Sequence, residues 1–463
     1  MATNNNVLTL DAMPTDYAYE DYLSALLMTK GRYYLERSIK KNTPGIGDEL
    51  ELDIVLNKYE DINSSDKQFV EIKSKGWGLI DIFKVRGWMD YMGFEKASFI
   101  VQQTNMQSFP IMQSIAERLN IKLIDNPKVN DRLDDKKIIS EMSLDVPDVD
   151  KSINTAIRFS LHLERAMADY INKMKKTVKG SGIGCYERLH DYWENLNNNP
   201  FFVDNIDKRI KTIFNCWVDN KNFTTRVDHE LNGEGWLSAD NCQNLIDGHY
   251  LDLFYKSKTT SPVVIAMYVE LLCRISILKA CVDELTEPKQ TPQTIIEKWL
   301  RQLDKMSLPS NISYGLEKLK EQPYFHLYPR FWQIFIYAFG GFVLLDKENE
   351  EYELLSVLSG IPIGHIQEAF ESFDLLFHSN KCWMRVYDKT NIRMLAMMPP
   401  PFLGIGANMR RLLYRAEDSE DLATFDNLEK IVSGQYTLQN LIHWNCVAYE
   451  YLKTDKTLIH NSN

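Results

Sequence analysis

The chain has 463 residues, enough for two or three domains and a sizeable core. Hydrophobic residues make up 44% and aromatics 11%, which excludes an intrinsically disordered chain. The formal net charge of −11 argues against a protein that holds nucleic acid by bulk electrostatics, while leaving room for a local basic track.

In chain order, Tyr19 to Leu27 carries apolar residues at helical spacing and runs into Gly31, a helix stop. Arg32 to Arg37 reads as a first strand. In Leu50 to Leu56 the apolar Leu50, Leu52, Ile54 and Leu56 alternate with Glu51, Asp53 and Val55, so Asp53 projects opposite the leucine row. In Phe69 to Lys73, Val70 and Ile72 share one face, and Glu71 and Lys73 the other. The polar stretch Asn57 to Lys67 has turn chemistry in Asn63-Ser64-Ser65-Asp66, so the two strands are expected to pair as a hairpin. That pairing brings Asp53, Glu71 and Lys73 onto one face. Leu79 to Gly93 reads as an amphipathic helix, Lys96 to Val101 as a strand, Phe109 to Leu119 as a helix and Ile121 to Asp125 as a strand. The expected order is α-β-β-β-α-β-α-β in a mixed sheet.

Two neighbouring carboxylates repel unless a cation lies between them. Hard divalent cations take oxygen ligands, lower the pKa of bound water and offset charge building on a phosphate. A lysine two residues beyond the second carboxylate supplies a compact positive charge for a water or a phosphate. Asp53, Glu71 and Lys73 therefore fit phosphodiester hydrolysis. A solvated hairpin face with one surface ion pair is the alternative these residues leave open.

The element order, the D…ExK set and the tail from Gln102-Gln103-Thr104 through Ile115-Ala116-Glu117-Arg118-Leu119 to Ile121-Lys122-Leu123-Ile124-Asp125 resemble the PD-(D/E)xK, restriction-endonuclease-like nuclease superfamily. The likeness is strongest to its Mrr-type branch and covers residues 15–128. Leu52 stands before Asp53 where the superfamily often has proline. The resemblance implies Asp53 and Glu71 as ligands of Mg²⁺ or Mn²⁺, and Lys73 at the attacking water. It also implies Glu20 on the first helix as an auxiliary acid, reaching the metal directly or through water. DNA is the implied substrate, RNA the second choice, and self-association is implied because such enzymes usually cut duplexes as dimers.

Lys75, Lys84 and Arg86 run from the second carboxylate into the following helix and are candidate phosphate contacts; Trp77, between Gly76 and Gly78, is a candidate stacking residue. Each has an ordinary alternative, as solvated helix charges or as an aromatic packed on its own domain. Residues 1–128 form the nuclease-like domain, and 129–152, rich in Asp, Lys and Ser, a linker. Residues 153–325 form a mostly α-helical domain, with long helices at Ile157–Met174 and Pro262–Leu285. Residues 326–400 give helix–helix–turn–helix–hairpin, a winged-helix-like subdomain. Its third helix carries His365, Gln367, Glu368, Glu371 and Asp374 and no Lys or Arg, which favours protein contact over base reading. Residues 401–463 form a C-terminal helical segment.

The seven cysteines stand singly, none in a CxxC spacing, which speaks for buried thiols in a reducing compartment. The start of the chain shows no secretory pattern, and the apolar stretch 330–345 is too short and interrupted to span a bilayer; a cytoplasmic protein without a membrane partner is expected. No GxxxxGK[ST] occurs, so any NTPase belongs to a partner protein. The expectation is a metal-dependent DNA endonuclease of a restriction or phage-defence system, its helical region sensing substrate or partner. The competing reading from another class is an inactive nuclease-fold scaffold.

Overall fold

The structure is a computed structural model. It describes residues 17–43, 47–61, 64–102, 107–126, 128–129, 132–133, 135–144, 151–177, 183–197, 210–220, 262–303, 308–341, 343, 347–377, 384–387 and 392–395. The 401–463 segment lies outside these residues.

The N-terminal body runs α1 (Tyr17–Lys30), β1 (Tyr34–Thr43), β2 (Gly47–Asp61), β3 (Ser64–Lys73), α2 (Leu79–Met92), β4 (Ala97–Val101), α3 (Phe109–Arg118) and β5 (Ile121–Asp125). The five strands form one sheet in the order β1-β2-β3-β4-β5. The first three are antiparallel, and β4 and β5 join parallel. Element types and order match the sequence expectation. One reading changes: the polar stretch 57–67 is mostly strand, with Asn57↔Lys67 and Lys58↔Asp66 paired. A ladder satisfies polar residues through the backbone, so turn-like composition does not forbid a long hairpin arm.

β4 is buried along its whole length, as a parallel strand covered on both faces must be. Phe69, Phe99, Val101 and Leu123 pack against Ile82, Val85 and Met89 of α2 and Ala116 of α3. On the opposite face, Ile54, Leu56, Val70, Ile72, Ile100 and Ile124 share a core with Leu23, Leu26 and Leu27 of α1 and with the helices that follow. α1 is therefore buried on two sides, between the sheet and α5 (Lys151–Thr177). The remainder is mostly helical: α4 (Lys136–Glu141), α5, α6 (Ile183–Asn197), α7 (Pro262–Thr286), α8 (Pro292–Gln302), α9 (Ile312–Glu321), α10 (Tyr328–Tyr337), α11 (Glu348–Ser359) and α12 (Ile366–Leu376). Residues 210–220 are helical as well. Short strand pairs follow the sheet, β6 (Lys128–Val129) with β7 (Arg132–Leu133), and α12, β8 (Met384–Tyr387) with β9 (Ile392–Leu395).

The sequence divides the chain at a linker over 129–152, but that stretch contains α4, which packs on β5 and buries Ile138. Its charges have partners: Tyr22 donates to Asp135 at 2.5 Å. Over 135–144 the charge cluster therefore belongs to a packed polar surface; 145–150 lie outside the described residues. The apolar run at 325–339 is the centre of the helical core, where Trp332 meets Phe373 with ring centroids 3.8 Å apart and donates to Ser372 Oγ at 2.8 Å. Among the described residues, no helix is long and apolar enough to cross a membrane.

The helical part also closes the open edge of the sheet. The Gln333 side chain accepts from the Leu35 N–H and donates to the Leu35 carbonyl, both at 2.9 Å, standing in for a neighbouring strand. Gln333→Leu keeps the volume but leaves both buried backbone groups unpaired. Its expected cost is about 2–4 kcal/mol of unfolding free energy, read as a lower urea midpoint. An unchanged midpoint would show that this edge does not rely on the amide.

Candidate metal centre

β2 and β3 pair up to Ile54↔Val70 and then part. β3 continues against β4 through Glu71↔Phe99, Ile72↔Ile100 and Lys73↔Val101, while β2 stays with β1. At the parting, Asp53 Oδ2 accepts the Ile72 N–H at 2.8 Å, the bond a strand neighbour would otherwise make. On β1, opposite Asp53, Ser38 adopts a left-handed backbone, φ 48°. The strands bend here, and this splits the leucine row of β2: Leu50 and Leu52 pack with the α2–α3 cluster, Ile54 and Leu56 with the α1 side.

Asp53 and Glu71 are both buried at this fork. Lys73 Nζ lies 2.8 Å from Glu71 Oε1, and Glu71 Oε2 has no hydrogen-bond partner. Burial, then the neighbouring carboxylate Glu71, push the Asp53 acid well above its ordinary range, against the pull of Lys73 and the Ile72 N–H. Burial pushes Glu71 up too, against Lys73. For Lys73 burial works downward, but Glu71 and Asp53 prevail and its pKa is raised. Lys73 is therefore a fixed cation, not a proton acceptor.

Glu20 lies close enough for Asp53 to raise its pKa. It is held elsewhere, however: Arg165 of α5 donates to Glu20 Oε2 at 2.8 Å. Burial outweighs that pairing and leaves Glu20 pushed up to about 7. Among the described residues, no three His, Cys, Asp or Glu side chains form a ready-made metal cage. The donor set at the fork is thus a pair, with Glu20 at its rim. That pair fits a hard cation on two observations: an unpartnered buried carboxylate oxygen, and two acids whose mutual repulsion a divalent ion would relieve.

The basic candidates separate. Lys75 is exposed. Lys84 is exposed, lies 4.1 Å above the Trp88 ring and lowers the Glu71 pKa, so its charge is felt at the fork. Arg86, two residues on, points away: it pairs with Asp90 and donates to the Leu119 carbonyl at 3.1 Å, tying α2 to α3. Successive even positions on a helix lie about 200° apart, so one face cannot carry both cations. Trp77 is 7% exposed and meets Phe99 and Phe109 edge-on at centroid distances of 5.6 and 6.0 Å. It is a core side chain and offers no free ring to a base.

Sequence reading missed the cluster behind Glu20. Asp21 is fully buried and receives Arg37 at 2.7 Å, Arg165 at 3.0 Å and His162 Nδ1 at 2.6 Å. Burial pushes its carboxyl up, but Arg165, His162 and Arg37 outweigh that and hold it far below the usual carboxylate range. Arg165 Nη1 also donates to Ser38 Oγ at 3.1 Å. A mixed-charge cleft of ≈ 320 Å³ opens beside this cluster, lined by Tyr17, Ser38, Lys40, Glu51, Arg165 and Trp193, and does not include Asp53 or Glu71. No local signal announces an ion cluster whose members lie more than a hundred residues apart. Comparison of the chain with family models, with curated proteins and with solved structures gives no match.

The two acid groups predict opposite pH effects. Asp53 and Glu71 hold protons in the fold that the unfolded chain has released, so their contribution to stability falls as pH rises above the ordinary carboxylate range. In metal-free buffer at neutral pH, Asp53→Asn is expected to melt higher than the parent, with the gap closing on acidification. Mn²⁺ is expected to raise the melting temperature of the parent but not of Asp53→Asn. Asp21 has the reverse sign: its stabilisation is present above the unfolded pKa and lost only as pH falls through its lowered folded value. Asp21→Asn, which removes the buried charge on which Arg37, Arg165 and His162 converge, is expected to cost about 3–5 kcal/mol in urea unfolding at neutral pH.

Proposed function

We propose that the chain is a divalent-metal-dependent phosphodiester hydrolase, acting on DNA, whose N-terminal body is a restriction-endonuclease-like nuclease domain. The observation that carries this reading is the fork: two buried carboxylates side by side, one oxygen unpartnered, and a charged lysine 2.8 Å from the second acid. A structural ion pair has no need of the second carboxylate, whose burial beside the first calls for a proton held between them or for a cation.

Asp53 and Glu71 would hold Mg²⁺ or Mn²⁺, which when bound stabilises charge developing on the phosphate and lowers the pKa of water. Lys73, held protonated by Glu71, donates to the attacking water or to a non-bridging phosphate oxygen and neutralises charge there. The Ile72 N–H fixes the Asp53 carboxylate on its strand, so one acid is oriented before any ligand arrives. Glu20, held by Arg165, stands at the rim of the pair. Lys84, whose charge acts on Glu71, and the exposed Lys75 are the cations this reading offers to flanking phosphates. With the whole chain at −11, such contacts give local positioning and not tight non-specific binding.

DNA in preference to RNA, and a restriction or phage-defence setting in which the helical part senses substrate or a partner supplying NTPase activity, rest on the likeness to Mrr-type enzymes. They are an argument from fold. The test is cleavage of plasmid, linear single-stranded DNA and RNA in Mg²⁺ and in Mn²⁺. Cleavage of DNA is expected, with Lys73→Ala and Asp53→Asn each lower by about 100-fold or more at unchanged fold. Equal activity of Lys73→Ala and the parent would reject the mechanism. Cleavage of RNA alone would move the substrate class. No cleavage with or without cell extract would favour a scaffold.

A further inference from the structure

Arg330 of α10 is 4% exposed, and its guanidinium group ends among carbonyls and not among acids. It donates to the Arg32 carbonyl at 2.7 Å and to the Ser359 carbonyl, while its Nε is buried with no hydrogen-bond partner. Arg32, in the turn between α1 and β1, donates through Nε to the Val357 carbonyl at 3.1 Å. Both guanidinium groups lie against Gly360: a Cβ placed on that glycine would stand 2.6 Å from Arg330 Nη2 and 3.6 Å from Arg32 Nη1. Among the described residues no carboxylate pairs with either arginine. Burial pushes Arg330 down to about 9, and the neighbouring Arg32 pushes it the same way.

Two positive charges thus share one place with no acid opposite them. Other buried or half-buried cations of this chain are answered: Arg37 and Arg165 by Asp21, Arg274 by Glu270 and Lys298 by Glu284. Here the end of α11 answers in part, since its last carbonyls receive both side chains, an ordinary way to finish a helix. A helix C-terminus is worth about half a negative charge, so it offsets only a fraction of two guanidinium charges. The remainder is costly where solvent is excluded, and a buried polar group left without a partner calls for a water or an ion.

The N–H fork of arginine matches the oxygens of phosphate and carboxylate. Charge decides between them. A phosphate with one ester bond carries about −1.5 to −2 at neutral pH, whereas a carboxylate or a phosphodiester carries a single negative charge. Arg32 is half-buried and is the side from which an anion enters.

We infer that Arg32 and Arg330 form a binding site for a phosphate dianion, where the turn after α1 meets the end of α11. The inference stands apart from the hydrolase reading, since it uses none of the fork residues. The anion joins the sheet body to the helical part, so its binding stabilises their contact.

The full chain is titrated with inorganic phosphate, with a nucleoside monophosphate and with an oligonucleotide with and without a terminal phosphate. The titrations are followed by calorimetry and phosphorus NMR in EDTA, which keeps divalent ions from carrying phosphate to the fork. Saturable binding of phosphate is expected, with a melting temperature that rises and levels off against chloride of equal ionic strength. Arg32→Gln is expected to weaken binding about tenfold or more. In phosphate-free chloride, Arg32→Glu, which supplies the missing charge from the chain itself, is expected to melt higher than Arg32→Gln and to ignore added phosphate. Tighter binding of the nucleotide than of phosphate assigns the dianion to a nucleotide, and a preference for the phosphorylated oligonucleotide assigns it to a DNA end. Absence of saturable phosphate binding overturns the proposal. So does equal affinity in Arg32→Gln, or Arg32→Glu melting no higher than Arg32→Gln. An Arg32-dependent affinity for the oligonucleotide that its terminal phosphate does not change overturns it as well.

Discussion

A buried, ionised Asp21 is the constraint on which the arrangement rests. It lies on α1, between the sheet and α5, and it stays ionised only because Arg37 of β1 and His162 and Arg165 of α5 converge on it. Remove any one partner and the remaining charges stay in a place that water does not reach. The cluster therefore fixes α1 against both neighbours, and with it the position of Glu20, the next residue toward the N-terminus. Arg165 acts twice, on Asp21 and on Glu20, and so links the helical part of the chain to the rim of the carboxylate fork.

The fork itself has the opposite electrostatic character. Asp21 is buried where Arg37, Arg165 and His162 converge, whereas Asp53 and Glu71 are buried against each other with Lys73 paired to Glu71. At one site the partners hold the acid ionised; at the other, burial raises both acids above their ordinary range. This contrast is the physical reason for reading the first group as structural and for placing the proposed chemistry at the second.

Much of the N-terminal body was legible in the sequence because its signals are local. Alternation in Leu50–Leu56 and Phe69–Lys73, the Gly93 helix stop at φ 75° and the apolar Phe99-Ile100-Val101 of β4 each follow from a few consecutive residues. The approach of Asp53 to Glu71 was also legible, since a hairpin places both on neighbouring central strands. Less legible were strand length, because a ladder carries polar residues as readily as apolar ones, and the role of 129–152, because charge clusters read alike on a tether and on a packed surface. Trp77 and Arg86 show the limit for single residues: what a ring or a guanidinium touches is set by neighbours from α3, not by its flanking glycines or lysines.

The sequence by itself determined the element order of the sheet body, the helical nature of the rest and the identity of the acids and the lysine at the fork. These depend on periodicity and on spacing within one hairpin. Only the tertiary structure decided where β2 leaves β3, which carboxylate oxygen lacks a partner, that Glu20 is held by Arg165, and that Arg32 and Arg330 meet at Gly360. Each of those depends on groups brought together from distant parts of the chain, and burial and charge act through space without regard to sequence distance.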